Sequence, residues 1–269
     1  MRFCVLGSGS KGNSTYVSAG DTAILIDAGF SGIEVARRLA LIGVDISSLS
    51  AILITHEHGD HVRGVSVLSR RHDLTVFANK ATISKAGKTL DNLFSFQEFS
   101  TGKSFQLKNL QIHPFSVSHD AADPVGFIIS NGKSSFGYCT DTGMVSRLIR
   151  HRLTGLNALV LECNHDPEML KTGPYPLSLQ QRVSSKTGHL ANSDAAGFLA
   201  DIFHKELAHV VLAHISETNN LPEIVRETVT NVLNERHGHS FHFNGELSEL
   251  STCISFARQD RPGELVKMK

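Results

Sequence analysis

One stretch constrains this chain more than any other: Ser50-Ala-Ile-Leu-Ile54, an apolar run, passes directly into Thr55-His-Glu-His-Gly-Asp-His61. The run predicts a buried strand, and the string predicts what sits at its end. Residues two apart on an extended chain point the same way, so His56 and His58 converge on one metal ion. Gly59 carries Asp60 and His61 round to face a neighbouring one. Imidazole and carboxylate together suit Zn²⁺, Mn²⁺ or Fe²⁺. A helix start that is merely rich in histidine explains Asp60 as a cap, but not three imidazoles in six positions.

A competing signal stands earlier. Residues 7 to 12, GSGSKG, fit the G-x-G-x-x-G template of a dinucleotide-binding loop, and Asp27 follows about 20 positions on. The template also demands a helix after the glycines. Asn13 to Ser18 is instead rich in β-formers and runs through a turn into Ala23-Ile-Leu-Ile26, which predicts a meander of three strands. Without a helix N-terminus to hold a pyrophosphate, a dinucleotide site is not expected.

Composition narrows the setting. The chain has 269 residues, enough for a substantial core. Its 26 basic residues balance 26 acidic ones, which neither advertises nor excludes a nucleic-acid partner. No apolar run approaches the roughly 18 residues of a membrane span, and nothing near Met1 resembles a signal peptide, so no membrane association is expected. Cys4, Cys139, Cys163 and Cys253 fall in apolar stretches without C-x-x-C spacing and read as buried thiols of a reduced cytoplasm. Fifteen histidines beside no tryptophan direct attention back to metal.

Along the chain, Ser31 to Ile42 predicts a helix behind a serine N-cap, and Asp60 to Arg71 a second. Strands are expected at 75–78, 105–108, 110–115, 126–129 and 135–139. The scheme then repeats, with helices at 144–151, 178–187, 193–202 and 222–237, and strands at 158–162, 209–213, 240–243 and 253–256. No linker separates the halves, so residues 1–258 are expected to form a single domain of two αβ layers, and 259–269 a polar C-terminal tail.

The string THEHGDH resembles the signature of the metallo-β-lactamase superfamily. That resemblance implies an α/β fold, a four-layered αββα sandwich, with further ligands in order beyond later strands. His119, Asp141 in TDTG and His214 stand where it places them. It implies that His56, His58 and His119 hold one metal, that Asp60, His61 and His214 hold the other, and that Asp141 bridges them. Asp27 in LIDAG matches the aspartate that hydrogen-bonds the metal loop. The strings GSGSKGNS, SHDAADPVGF, LECNHD, YPLSLQQRVSSKTGHLAN and LAHISETNN narrow the resemblance to the WalJ/YycJ branch, bacterial proteins similar to DNA exonucleases acting from 5′ ends. It implies a dinuclear phosphodiesterase with DNA as substrate, serving repair.

Two divalent cations about 4 Å apart meet the needs of phosphodiester hydrolysis, with Asp60 counted among the catalytic groups. The same site is compatible with a cyclic phosphodiester or a thioester, or with a metal protein that hydrolyses nothing. The accessory residues must decide. His189 in KTGHLAN stands where similar phosphodiesterases carry a phosphate-contacting proton donor; otherwise it caps the helix that follows. Asn164 and His165 meet either substrate or the ligands. Lys171, Arg182 and Lys186, like the cluster Arg147, Arg150, His151 and Arg152, either contact phosphates or are simply solvated. The loop 7–13 either offers N–H groups to a phosphate or is a tight connection.

Overall fold

The computed structural model describes residues 1–238, 241–243 and 252–268. Ser240, expected in a closing strand, and Lys269, expected in the tail, lie outside the described residues. The chain divides into two compact units, the first formed by 1–116, 121–134 and 258–269, the second by 117–120 and 135–257.

In the first unit, β1 (Arg2–Gly7), β2 (Ser14–Ala19) and β3 (Thr22–Ile26) form the antiparallel meander that the missing helix signal predicts. The direction then changes. β4 (Ala51–Leu53), β5 (Thr75–Ala78) and β6 (Ser95–Glu98) add in parallel beyond β3, which requires helical crossovers. These are α1 (Gly32–Leu41), α2 (Gly59–Val62) with α3 (Val65–Arg71), and α4 (Lys80–Ala86). Cys4, Leu6, Leu25, Ile52, Ile54 and Val76 project from one sheet face onto Val35 and Leu39 of α1 and Val65 and Leu68 of α3. On the other, Phe77 stacks on Phe105 at 5.3 Å between ring centroids. Phe105 belongs to an antiparallel strip of β7 (Phe105–Leu107), β8 (Leu110–Ser116) and β9 (Val125–Ser130).

Three expectations change here. The single helix expected over 60–71 breaks at Gly64, whose N–H leaves the helix to bond the carbonyl of Ala28 at 2.8 Å. The segment 259–269 does more than trail: Val266–Lys267 pairs with Phe3 and Arg2 as the outer strand of the sheet. Helix α4 was not expected, although Asn79 caps it by accepting from Thr82 N at 2.8 Å.

Helix α1 also fastens that closing segment. Arg38, buried over the Phe30 ring at 3.9 Å, donates to the carbonyls of Leu6 and Gln259 and to Glu34 Oε1. Glu34 is held down to about 2 by its hydrogen bonds to Arg37 first, then Arg38. A depressed carboxyl contributes stability above its ordinary range and loses it as pH falls through the folded value. Glu34→Gln is therefore expected to destabilise by no more than about 1 kcal/mol at pH 7, since solvent screens the carboxylate and Arg38 keeps its two carbonyl acceptors. In urea titrations the gap from wild type should close as pH approaches 2, and a gap independent of pH would refute this role.

In the second unit β10 (Ser135–Cys139), β11 (Ala158–Glu162) and β12 (His209–Ala213) run parallel side by side. Beyond them lie β13 (Phe241–Phe243) and β14 (Thr252–Phe256), with β14 paired to β12. Helices α5 (Arg147–Leu153), α6 (Pro167–Thr172), α7 (Leu177–Val183), α8 (Asn192–Ile202) and α9 (Pro222–His237) complete it. Burial on both faces explains why β11 and β12 read as unbroken apolar runs. No described helix is long and apolar enough to cross a membrane.

Candidate metal centre

Parallel pairing sets the cluster on the first unit. Ile26 lies opposite Leu53, so the chain leaves β3 and β4 at the same sheet edge, where Asp27 follows one strand and Thr55-His56 the other. Asp27 is fully buried. Its Oδ1 accepts from Thr55 N at 2.8 Å, and its Oδ2 accepts from Thr55 Oγ1 and from His61 Nδ1, both at 2.8 Å. Thr55 Oγ1, having donated to Asp27, accepts in turn from His56 Nδ1 at 2.9 Å. One carboxylate thereby fixes two tautomers: both imidazoles carry their proton on Nδ1 and turn Nε2 away from Asp27. Burial raises the Asp27 pKa, against the opposing pull of His61 and Thr55. His58 begins α2 as its N-cap residue, which turns Asp60 and His61 away from the strand direction.

The glycine loop finds its purpose beside them. Asn13 donates from its backbone N to the Asp60 carbonyl at 2.7 Å and from Nδ2 to Asp60 Oδ2 at 3.2 Å, with the same Nδ2 3.0 Å from His61 Nε2. The N–H groups of Ser8, Gly9, Lys11 and Gly12 bond Arg258 O, Asn13 Oδ1, Gln259 Oε1 and Gly9 O. Those donors are committed inside the protein, so the tight-connection alternative replaces the phosphate cradle. The close approach falls at Gly29, where a Cβ would overlap the Asp60 carbonyl.

The second unit repeats the logic with a cluster of its own. Cys139 lies opposite Leu161 and Glu162 opposite Ala213. Asp141, Glu162 and His214 therefore gather at the carboxyl ends of three adjacent strands. His214 Nε2 is 3.6 Å from Asp141 Oδ1, and His189 Nδ1 is 3.9 Å from it. His119 Nε2 is 4.0 Å from the same oxygen, while its Nδ1 lies 3.1 Å from the Gly188 carbonyl, to which it donates. Burial lowers the His119 pKa, against the opposing pull of Asp141. Ligand atoms of Asp141, Glu162, His189 and His214 all lie within 4.8 Å of one another, a spacing that suits a divalent cation. Gly143 lets the 185–188 loop close over TDTG, because a Cβ there would overlap the Ser185 carbonyl.

Backbone strain singles out the same residues. Six described non-glycine residues have positive φ, and Asp27 (59°), Asp141 (55°) and His214 (55°) are three of them. Each such conformation costs on the order of 1 kcal/mol and persists where the side chain is needed.

Glu162 is the residue the motif reading passed over. Fully buried, its Oε1 accepts from His189 Nδ1 at 2.7 Å and His214 Nδ1 at 3.0 Å, and its Oε2 from Thr142 N at 2.7 Å. Burial alone would raise its pKa, but His189 and His214 overcome that and hold it below the usual carboxylate range. The signal was present, since an acid ending a buried strand in LECNHD needs partners. Asn164 donates from Nδ2 to the His214 carbonyl at 2.7 Å and so braces a proposed ligand. His165, beside it, is buried with its pKa lowered by burial.

Among the basic residues, Arg182 pairs with Asp120 at 2.6 Å, and Arg150 pairs with Asp201. Both are committed to carboxylates. Lys186 is exposed, and its carbonyl accepts from Ser118 Oγ at 2.7 Å.

Asp27→Asn is expected to weaken metal affinity about 10–100-fold, the usual effect of losing a partner that orients a ligating histidine. An amide cannot accept from Thr55 Oγ1 and His61 together while presenting its NH₂ there. Competition against a chromophoric chelator measures this, and unchanged affinity would refute the bracing role.

Strand-edge clusters of histidines and aspartates, braced by buried carboxylates, carry the donor types of a metallohydrolase on the metallo-β-lactamase fold. In agreement, the β-lactamase superfamily domain matches residues 22–215, and the chain belongs to that family. The metallo-β-lactamase fold protein YhfI of Bacillus subtilis superposes with a TM-score of 0.71 at 15% identity, over 97% of this chain and 98% of that one. Within the family the chain is 38% identical over 261 residues to the exodeoxyribonuclease YycJ of Bacillus anthracis, covering 95% of this chain and 99% of the relative. It is 36% identical to the exodeoxyribonuclease WalJ of Streptococcus pneumoniae, over 87% and 88%.

Proposed function

We infer that the chain is a metal-dependent exodeoxyribonuclease that degrades DNA from 5′ ends, in the 5′ to 3′ direction, in the service of repair. The observation that carries this reading is the Glu162–His189 pair, set at the strand edge that holds Asp141 and His214. Likeness over nearly full length to two exodeoxyribonucleases supports it, and the small-molecule alternative is not favoured.

The proposed ligands are His56, His58 and His119 for one ion, Asp60, His61 and His214 for the other, and Asp141 as the bridge. Zn²⁺, Mn²⁺ and Fe²⁺ suit this mixed donor set. Bound divalent ions supply Lewis-acid stabilisation of phosphoryl charge and lower the pKa of a nucleophilic water. The chain's own residues do the rest. Asp27 and Thr55 hold His56 and His61 in the ligating tautomer. Asp60, steadied by Asn13, orients the attacking water. His189, its Nδ1 held by Glu162 Oε1 at 2.7 Å, delivers a proton from Nε2 to the departing 3′-oxygen. Lys186 offers its ammonium to the phosphate backbone. The four free thiols fit a reducing cytoplasm.

Purified protein should release labelled mononucleotides at once from 5′-labelled single- or double-stranded DNA, while 3′-labelled DNA shortens progressively. The assay is run with Mn²⁺, Mg²⁺ and Zn²⁺ in turn. Intact DNA in every metal would sink the reading; loss of label from the 3′ end first would reverse the polarity.

A further inference from the structure

We propose that the cleft between α6 and α7 receives one unstacked base of the DNA strand, beside the proton-donating half of the site. The proposal rests on the exodeoxyribonuclease reading and adds to it a place where the strand is gripped away from the scissile phosphate.

The cleft measures ≈ 210 Å³ and is lined by His165, Pro167, Leu170, Lys171, Leu177, Gln180, Gln181 and Ser184. Its size decides the occupant class. Sites for drug-sized ligands run to roughly 300–1,000 Å³, so this one takes a single planar heterocycle. Leu170 forms an apolar floor at 3% exposure, while Leu177 stands 68% exposed at the mouth. A leucine that open offers an apolar surface on which a flat ring can stack.

The polar groups are of the kind that reads a base edge. His165 is 3% exposed, yet its Nδ1 has no hydrogen-bond partner, an arrangement that native proteins rarely leave unused. Gln180 commits its Nε2 to the Tyr175 carbonyl at 2.9 Å, which leaves its Oε1 as an acceptor. Gln181 brings a second amide, and exposed Lys171 a cation for an adjoining phosphate.

Position ties the cleft to the reaction. Asn164, next to His165, donates to the His214 carbonyl and accepts on its own carbonyl from Ser216 N at 2.9 Å. The His165 carbonyl accepts from Asn192 N at 2.9 Å, at the end of the segment carrying His189. A base held here lies on the loops that hold His189 and His214.

The test combines Leu177→Ala and Gln181→Ala with a single abasic residue moved stepwise along a single-stranded substrate. Both side chains are exposed, so the fold is not at stake. Wild type should show one position where the abasic residue raises KM by roughly five- to a hundred-fold, the range of a lost base contact, with kcat within about twofold. At that position the abasic residue should add less than about twofold to the raised KM of either variant. 2-Aminopurine placed there should change emission on binding wild type and not on binding Leu177→Ala.

If wild type cleaves DNA but no abasic position raises KM, or the variants respond to it as wild type does, the base site is overturned and the nuclease stands. Inhibition by a free deoxynucleoside monophosphate that vanishes in Leu177→Ala, without any abasic effect, would overturn strand binding and assign the cleft to product. Failure of wild type to cleave any DNA overturns the exodeoxyribonuclease reading, and this proposal with it.

Discussion

Asp141→Gly is expected to fold at least as well as wild type, to bind at most one of the two proposed ions, and to lose DNA cleavage by about three powers of ten or more. The last figure is the several kcal/mol that a metal's Lewis acidity contributes, converted at 1.36 kcal/mol per decade. The first follows from the backbone. At φ 55° an aspartate is strained and a glycine is not, so the metal-free variant should match or exceed metal-free wild type by up to about 1 kcal/mol. Elemental analysis after reconstitution, thermal unfolding in chelator and the DNA assay together check it. A variant that retains both ions, or that cleaves normally, removes Asp141 from the bridge. Alanine is the poorer choice, because it loses the carboxylate but keeps the strain.

His189→Ala should keep its metal and its fold while losing about 10²–10⁴ in kcat on DNA, the usual contribution of a positioned general acid. The loss should shrink on an aryl phosphodiester, whose leaving group needs no proton. Equal losses on both substrates would assign His189 to phosphate positioning, and a fully active variant would return it to a structural loop residue. Glu162→Gln should reproduce the kcat loss and also weaken metal binding, because Glu162 orients His214 as well as His189. The double variant should be little slower than His189→Ala, since two residues acting as one unit are not additive.

These experiments address pairs that differ in how visible they were beforehand. His56, His58, Asp60 and His61 declare themselves because their spacing is local: a strand end, a two-residue period and one glycine are enough to aim them. His119, Asp141 and His214 are individually ordinary and became candidates only as an ordered set, each just past an apolar strand. Glu162 escaped because nothing within a few residues distinguishes it from an acid closing any strand. Its partners lie 27 and 52 positions away.

The helices tell the same story at a smaller scale. Ser31 and Asp166 cap α1 and α6 through their own side chains, accepting from Glu34 N at 3.3 Å and from Met169 N at 2.9 Å. Asp-Pro-Glu at 166–168 is as local a start signal as Ser31. By contrast, nothing local announces that α7 stops at Val183. It stops because the His189 N–H returns to bond the Val183 carbonyl at 2.8 Å.

By itself the sequence determined most of the strands and helices and pointed to a divalent-metal site, because periodicity, capping and ligand spacing act within a few residues. Tertiary structure decided what required distant partners. It drew Val266–Lys267 into the first sheet and Gln259 onto the glycine loop, and it turned that loop from a candidate phosphate cradle into a brace for Asp60. It also chose the imidazole tautomers, through Asp27 on one unit and Glu162 on the other. The physical reason is common to all three. A buried donor or acceptor must be satisfied by whatever the fold brings within about 3 Å, and parallel strand register, which no local pattern encodes, determines what that is.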